Sequence, residues 1–509
     1  MASDRGGDIR VVEPTGLFAM LLCVALAVVG CGGPAQPRFG PLDNVVIVSI
    51  DSLRADHVGA YGYPLPTTPT IDGLAASGVL FERAYATTSW TLPSYASLLT
   101  GLDSAAHGVS SPRQRLPDRI DTLAERLAQA GVHTVGFFSG PYLDPSFGLA
   151  RGFAEYVDCT SYADGRTHAL LTEAEIQRLE SLDEETRSLA SAHLASHRDV
   201  TNPILLERLN EWLSRGGFAQ RNFLFLHLWD VHFDYIPPAR HLALFDPDYE
   251  GPLREEFFAA LRVGMPARDF QHVVARYDAE IRFTDETLGE ILQALDEHRL
   301  LENAAVIVTS DHGEEFLDHG AKGHGGTLYE EVLRVPLVMR LEGWHDPGQR
   351  IREVVSLADL FATVCDLFGV SCPDRGAGRS LLPLLEGRDT GSGRGDALAD
   401  LRLMGLRQLA LVRQSDKVIR FEKEGVTLYY DREALEEERD GRTVGPAAGD
   451  PARAASQRLD ERIREARALA PLVGGAPVQA GKVSRATLEM LRALGYLPEQ
   501  DAPTADPPR

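Results

Sequence analysis

With 509 residues, 44% of them hydrophobic and 25% charged, the chain has the composition of a globular protein and enough apolar material for more than one domain's core, which excludes a disordered or fibrous class. Its formal charge of -23 leaves no overall positive field for a phosphate backbone, so no nucleic acid is expected as a partner, and the acidity reads as a solvated surface.

The first element is LFAMLLCVALAVV, Leu17 to Val29, an apolar run too short for a comfortable membrane span and suited to a signal-peptide core. It ends in VVGC, with the small residue Gly30 before Cys31. This resembles a bacterial lipobox, which implies a signal peptide over 1–30, lipidation of Cys31, and an exported protein anchored to a bacterial membrane in the periplasm or at the outer surface. Asp4, Asp8 and Glu13 offset Arg5 and Arg10 and depart from that pattern, and an ordinary cleaved signal or an uncleaved anchor fits the same residues. GGPAQPRFGPLDN, Gly32 to Asn44, is Gly/Pro-rich and apolar-poor, so 31–42 reads as a tether.

Order begins at Val45. VVIVSI is a β-branched run of buried-strand type that stops at Asp51, and HTVGFFSG (His133 to Gly140), FLFLHLWDVH (Phe223 to His232) and AAVIVTSDHGEE (Ala304 to Glu315) repeat the form. Between them, Ile120 to Gly131 and Tyr277 to His298 carry apolar residues at helical spacing. The alternation predicts an α/β fold, a central mostly parallel sheet flanked by helices, with ligands at the carboxyl ends of its strands.

After Ser356 the pattern changes. SLADLFATVCDLFGV predicts a helix, and LALVRQSDKVIRFEKEGVTLYYD predicts short antiparallel strands with turns at Ser415-Asp416 and Glu424-Gly425. The folded part is therefore divided into a catalytic domain over 43–375 and a smaller C-terminal α+β subdomain over 376–440. A tail over 441–509 is expected to hold a helix around Ala452 to Leu469 and a frayed, proline-ended terminus. Outside the leader and Cys31 three cysteines remain. Cys365 and Cys372 are the candidate disulfide pair in an exported chain, but no framework is implied and buried thiols are the default, Cys159 included.

Two strand ends carry the chemistry: Asp51 after VVIVSI, and Asp311-His312 after VIVTS. Carboxylates and an imidazole at neighbouring strand tips can converge on one divalent metal ion, calcium, magnesium, manganese or zinc, although Asp51 alone reads equally well as a helix cap. Taken together, VVIVSIDSLRADHVGAYGYPLPTTPTIDGLAASGVLFERAYATTSWTLPSYASLLTG, VIVTSDHGEEFLDHGAKGHGGTLYEEVLRVPLV and LADLFATVCDLFGV resemble the sulfatase family of the alkaline phosphatase superfamily over roughly Asp43 to Cys372. LYYD at Leu428 to Asp431 resembles the family's C-terminal subdomain.

The resemblance implies an alkaline phosphatase-like fold and a small anionic ester as substrate. It implies metal ligands at Asp51, Asp311 and His312, with the oxygen of Thr91 completing the site. His232, in HLWDVHFDYIPP, and His324 and Lys322, in AKGHGGTLYEE, would contact the transferred anion or the leaving group. His227, His319 and Asp230 are assigned to support or packing, and Arg54 and Asp56 to ion pairing within the first loop. The chain departs from the family at three positions. Ser52 stands where many members carry a second aspartate. The signature C/S-x-P-S-R, whose Cys or Ser becomes formylglycine, reads Thr91-Leu92-Pro93-Ser94-Tyr95, so both the nucleophile and the arginine differ.

A secondary alcohol cannot become an aldehyde without losing its methyl, so no formylglycine is expected. A sulfated threonine would persist, whereas a phosphorylated one can be attacked by water at phosphorus. Tyr95 in place of arginine removes a fixed cation from the site. Thr91 also reads as a helix cap, with Pro93 in the first turn. The expectation is an exported, metal-dependent ester hydrolase or transferase with Thr91 as nucleophile and phosphoryl or phosphonyl esters preferred. The alternatives are a sulfuric ester hydrolase and a non-catalytic binding lipoprotein of the same fold.

Overall fold

The computed structural model describes residues 41–160, 200–253, 257–373, 378–387, 395–431, 442–444 and 450–473, with a few isolated positions elsewhere. The leader, Cys31 and most of the tail after Val473 lie outside the described residues. No helix among the described residues is long and apolar enough to cross a membrane.

The strands, in chain order, begin with β1 (Asn44–Ile50), β2 (Val79–Tyr85), β3 (His133–Phe138), β4 (Glu155–Asp158), β5 (Asn222–Leu228) and β6 (Ala304–Thr309). They continue with β7 (Glu315–Phe316), β8 (Lys322–Gly323), β9 (Arg334–Val335), β10 (Leu337–Leu341) and β11 (Gln349–Ser356). The last five are β12 (Asp396–Leu401), β13 (Gln408–Arg413), β14 (Asp416–Phe421), β15 (Val426–Asp431) and β16 (Arg442–Thr443).

The large sheet runs β11-β2-β10-β6-β1-β5-β3-β4, with β9 paired to β2. Pairing is parallel from β6 to β4, while β10 runs antiparallel to both β6 and β2. All seven residues of β1 are buried, which is why this strand reads as an unbroken apolar run instead of an alternating one.

The helices flanking this sheet are α1 (Pro69–Ser77), α2 (Thr91–Thr100), α3 (Ser104–His107), α4 (Leu123–Gln129), α5 (Asn202–Arg215), α6 (Ala267–Glu297) and α7 (Asp359–Leu367). Helix α4 starts at Leu123, later than the Ile120 at which its apolar spacing begins, because Thr122 accepts the Glu125 N–H at 3.1 Å and Glu125 accepts the Thr122 N–H at 2.8 Å, a reciprocal cap. Helix α6 spans 31 residues and begins ten residues earlier than its apolar periodicity suggests. Cys365, in α7, is joined to Cys372 by a disulfide, and Cys159 is a buried free thiol.

The smaller sheet is antiparallel in the order β12-β13-β14-β15-β16. Helix α8 (Asp450–Val473) lies on it, burying Ala455, Leu459, Ile463 and Ala466 against Leu398, Leu409, Leu411, Val418 and Tyr429. The helix thus shares a core with the sheet from which the sequence division at 441 separates it. Between them Arg462 is enclosed by Asp103, at 3.1 Å, and Asp396, at 2.9 Å.

Candidate active site

Parallel pairing of β1 with β6, in register to Ser49 opposite Thr309, sets Asp51 beside Asp311-His312. Ligand atoms of Asp51, Asp311 and His312 lie within 4.8 Å of one another, and all three residues are fully buried. Ser52 sits in the left-handed region, at φ 57°. Its hydroxyl donates to Asp51 Oδ1 at 2.7 Å and its N–H to Asp311 Oδ1 at 3.3 Å, so this residue orients both carboxylates in place of adding a third. His227, at the end of β5, accepts the Ser139 N–H on Nδ1 at 3.4 Å and therefore donates from Nε2 to Asp51 Oδ2, 3.3 Å away. Asp51 is thus tied to a serine and a histidine and does not cap a helix.

The charge in this cluster is unbalanced. Burial works to raise the Asp51 carboxyl, but the His227 hydrogen bond and the neighbouring imidazoles of His232, His312 and His227 outweigh it and hold the group well below the usual carboxylate range. Burial, and then the charge of Asp51, push Asp311 upward. Asp311 Oδ2 makes no hydrogen bond, although it lies 3.2 Å from His312 Nε2. His312 Nδ1 donates to the Gly313 carbonyl at 2.9 Å, which leaves Nε2 as a lone pair. Two carboxylates and an unprotonated nitrogen aimed at one point, with an orphaned buried oxygen among them, fit a divalent cation.

Thr91 is brought by a different element. The chain leaves β2 and enters α2 at Thr91, the first helical residue, with Trp90 at the cap position and no side-chain cap bond. The cap reading of Thr91 is therefore replaced: its Oγ1 points to His312 Nε2, 3.3 Å away, at the positive end of the helix. Ser94 Oγ donates to the Asp311 carbonyl at 2.7 Å and ties the helix to the tip of β6. Tyr95 turns into the sheet, where its hydroxyl donates to Ser49 Oγ at 2.8 Å and its ring packs edge-on to His227. The position that carries arginine in the family signature thus supports the strand tips from beneath.

His324 and His232 complete the site. The His324 ring lies 4.4 Å from that of His312 and 4.9 Å from that of His232, centroid to centroid, and Trp229 stacks on His232 at 3.9 Å. Burial pushes His324 down to about 4, and burial with the nearby His324 charge holds His232 well below the ordinary imidazole value. The His324 loop is stitched to the segment before Thr91 by the Gly325 N–H, which donates to Ser89 O at 2.6 Å. Gly325 takes φ 73°, a left-handed conformation that glycine adopts without strain.

Lys322 is not brought to the cluster. Gly323, at φ 78°, turns the chain between Lys322 and His324, and the ammonium donates to the carbonyls of Phe258 and Ala259 at 2.6 and 3.3 Å. The remaining assignments resolve locally. Asp230 accepts the N–H groups of Thr201 and Asn202 at the start of α5, His319 pairs with Glu331 at 2.7 Å, and Arg54 binds Asp56 and Asp318. Sequence reasoning gave His227 a supporting or packing role without naming Asp51 as its partner. It also passed over Glu314, a fully buried carboxyl pushed up to about 8 by burial, whose Oε2 meets His324 Nδ1 at 3.2 Å.

Comparison with known proteins identifies the family and the fold. The family model described as Sulfatase matches residues 43–370, more than half of the chain. An arylsulfatase of Clostridium perfringens is 25% identical over 439 residues, covering 77% of this chain and 88% of that protein. Among solved structures, the phosphonate monoester hydrolase of Agrobacterium radiobacter aligns with a TM-score of 0.63 at 23% identity, covering 84% of this chain and 96% of that one. A structure holding D-glucosamine-2-N,6-O-disulfate as its substrate aligns with a TM-score of 0.66 at 19% identity, covering 84% and 98%. These structures share the fold, a mixed central sheet flanked by helices with a small antiparallel C-terminal sheet. This chain belongs to the sulfatase family, and it is a sulfatase-like hydrolase of sulfuric or phosphoric esters.

Proposed function

We propose that the protein is a metal-dependent hydrolase or transferase in which Thr91 is the nucleophile and phosphoryl or phosphonyl esters are the preferred substrates. The observation that carries this reading is the buried Thr91 hydroxyl, 3.3 Å from His312 Nε2 and beside the Asp51–Asp311 pair. Asp51, Asp311, His312 and the Thr91 oxygen would hold the cation. A divalent ion there supplies Lewis acidity, drawing charge from the transferred group and lowering the pKa of the alcohol.

The chain's own residues account for the rest. Thr91 Oγ1, its proton given up to solvent, forms a bond to phosphorus as the bond to the leaving oxygen breaks, and that oxygen takes a proton from His324 or His232, protonated from solvent beside the bound anion. Water or a second alcohol then attacks phosphorus and passes its proton to the imidazole as the bond from phosphorus to Thr91 breaks, and Thr91 regains a proton from solvent and is released unchanged. A threonine ester of sulfate lacks the elimination route that a formylglycine hydrate provides, and Tyr95 offers the anion no charge, so phosphorus chemistry is favoured. The same proposal places the enzyme outside the cytoplasm, tethered to a membrane through Cys31.

Sulfuric ester hydrolysis is the second reading, favoured by the match to a protein named arylsulfatase over 88% of its length. The test is turnover of a phosphonate monoester, a phosphodiester, an aryl phosphate and an aryl sulfate by the protein from Gly32 onward, with Thr91→Ala alongside. Thr91-dependent release from the phosphorus esters supports the proposal. Thr91-dependent sulfate release alone supports the second reading, and undiminished turnover in Thr91→Ala removes Thr91 from the chemistry.

A further inference from the structure

We infer that Glu314 is a positioning residue that fixes His324 for its work at the leaving oxygen, an inference that rests on the reading of the site given above. A short hairpin brings the two together. Strands β7 and β8 pair antiparallel, with Glu315 opposite Gly323 and Phe316 opposite Lys322, so the next rung sets Glu314 opposite His324. Glu314 Oε2 then lies 3.2 Å from His324 Nδ1, with the Glu314 side chain wholly buried and that of His324 1% exposed.

No lysine or arginine pairs with this carboxyl among the described residues; Arg54, the nearest candidate, donates to the Glu314 backbone carbonyl at 3.1 Å instead. Glu314 Oε1 makes no hydrogen bond, and a Cβ at Gly323 would come within 3.3 Å of it, so the group is closely packed in place. A buried carboxyl with one partner is costly to keep, which ties its presence to what that partner does.

The contact selects one orientation of the imidazole. With Nδ1 held on Glu314, Nε2 is on the side of the ring away from that carboxyl, and the ring as a whole lies 4.4 and 4.9 Å, centroid to centroid, from those of His312 and His232. An unheld imidazole can flip about its ring torsion and offer a C–H where the leaving oxygen needs a donor. The carboxyl removes that alternative, as a carboxylate does for other reacting histidines. Protonated on both nitrogens beside the bound anionic ester, with the second proton taken from solvent, His324 passes the Nε2 proton to the leaving oxygen as its bond to phosphorus breaks, the Nδ1 hydrogen stays on nitrogen in its bond to Glu314, and the alcohol departs neutral.

The experiment compares Glu314→Leu and Glu314→Gln with the unaltered, metal-loaded protein on two phosphonate monoesters of one acid, with p-nitrophenol and with phenol as leaving groups. Bound metal is measured in each protein. Glu314→Leu is expected to lose about 10²-fold in kcat on the phenyl ester and less than about fivefold on the p-nitrophenyl ester, with KM and bound metal unchanged. Glu314→Gln, whose amide oxygen still accepts from Nδ1, is expected to recover to within about tenfold of the unaltered enzyme. Equal losses on the two esters, no loss on either, or loss of the metal would overturn the inference. If Glu314→Leu does not fold, Glu314→Asp decides, because the shorter carboxyl withdraws from Nδ1 and must give the same selective loss. Failure of the Thr91 reading is seen separately, as turnover of both esters by Thr91→Ala.

Discussion

Two groups of buried acids in this molecule are balanced in opposite ways. At the strand tips Asp51 and Asp311 face each other with no lysine or arginine paired to either among the described residues, and Asp311 Oδ2 is left without a hydrogen bond. Between the sheets, Asp103 and Asp396 close on Arg462 at 3.1 and 2.9 Å, the three side chains being 5%, 2% and 3% exposed. The second group carries its own cations, Arg462 and, 3.1 Å from Asp396, Arg458. The first does not, and the difference separates a site that asks for a cation from one that joins α8 to the rest of the fold.

The comparison breaks most visibly at Asp51. Asp51→Asn is expected to lower turnover by about 10³-fold or more while leaving the fold intact, which circular dichroism beside a turnover assay would check. Arg462→Met should do the reverse. Removing the cation takes the 3.1 Å ion pair from Asp103 and leaves Asp396 to Arg458, 3.1 Å away, and should destabilise the protein by about 1–3 kcal/mol in a denaturant titration, with kcat per folded molecule within about twofold of normal.

His227→Gln sharpens the first half, because loosening Asp51 should weaken metal binding by about 10–100-fold in a direct titration. Asp311→Asn tests the imbalance itself. The folded-state pKa of Asp311 is raised above its unfolded value, so the folded protein holds the proton more tightly, and metal-free stability should fall as pH rises above the ordinary carboxylate range. Asn removes that dependence and should stabilise the metal-free protein at neutral pH by about 1 kcal/mol or more, one pKa unit being about 1.4 kcal/mol. Loss of stability in metal-free Asp311→Asn would mean that the two carboxylates do not oppose each other. The smallest effect is expected for Tyr95→Phe, which deletes one buried hydrogen bond to Ser49 and should cost about 1 kcal/mol with little change in turnover.

Much of the sheet was legible because its central strands are buried on both faces and so appear as unbroken apolar runs ending at polar residues: β1, β5 and β6 stand where VVIVSI, FLFLHL and AAVIVT read as strands. The strands at the β11 side were not. VLFERAY carries charges in its middle because Glu82 and Arg83 are only partly covered, and β10 enters the sheet antiparallel through a long-range pairing that no local pattern announces. The C-terminal hairpins were legible from their turns, but β12 was not, since DALADL takes its place only by pairing with β13. At the site, the spacing of motifs was enough to nominate Asp51, Thr91, Asp311, His312, His232 and His324. It also nominated Lys322, which one left-handed glycine turns aside.

By itself the sequence determined which residues end the buried strands and which alcohol begins α2, because periodicity, strand length and helix-start chemistry are properties of neighbouring residues. Tertiary structure alone decided where the side chains at those positions point. Tyr95 lies under the strand tips, His227 holds Asp51, Glu314 holds His324, and α8 closes on the smaller sheet through Arg462. Each of these depends on a backbone dihedral or a strand register set by partners distant in the chain, and on burial, which shifts the acidity of a group only once the fold has removed its water.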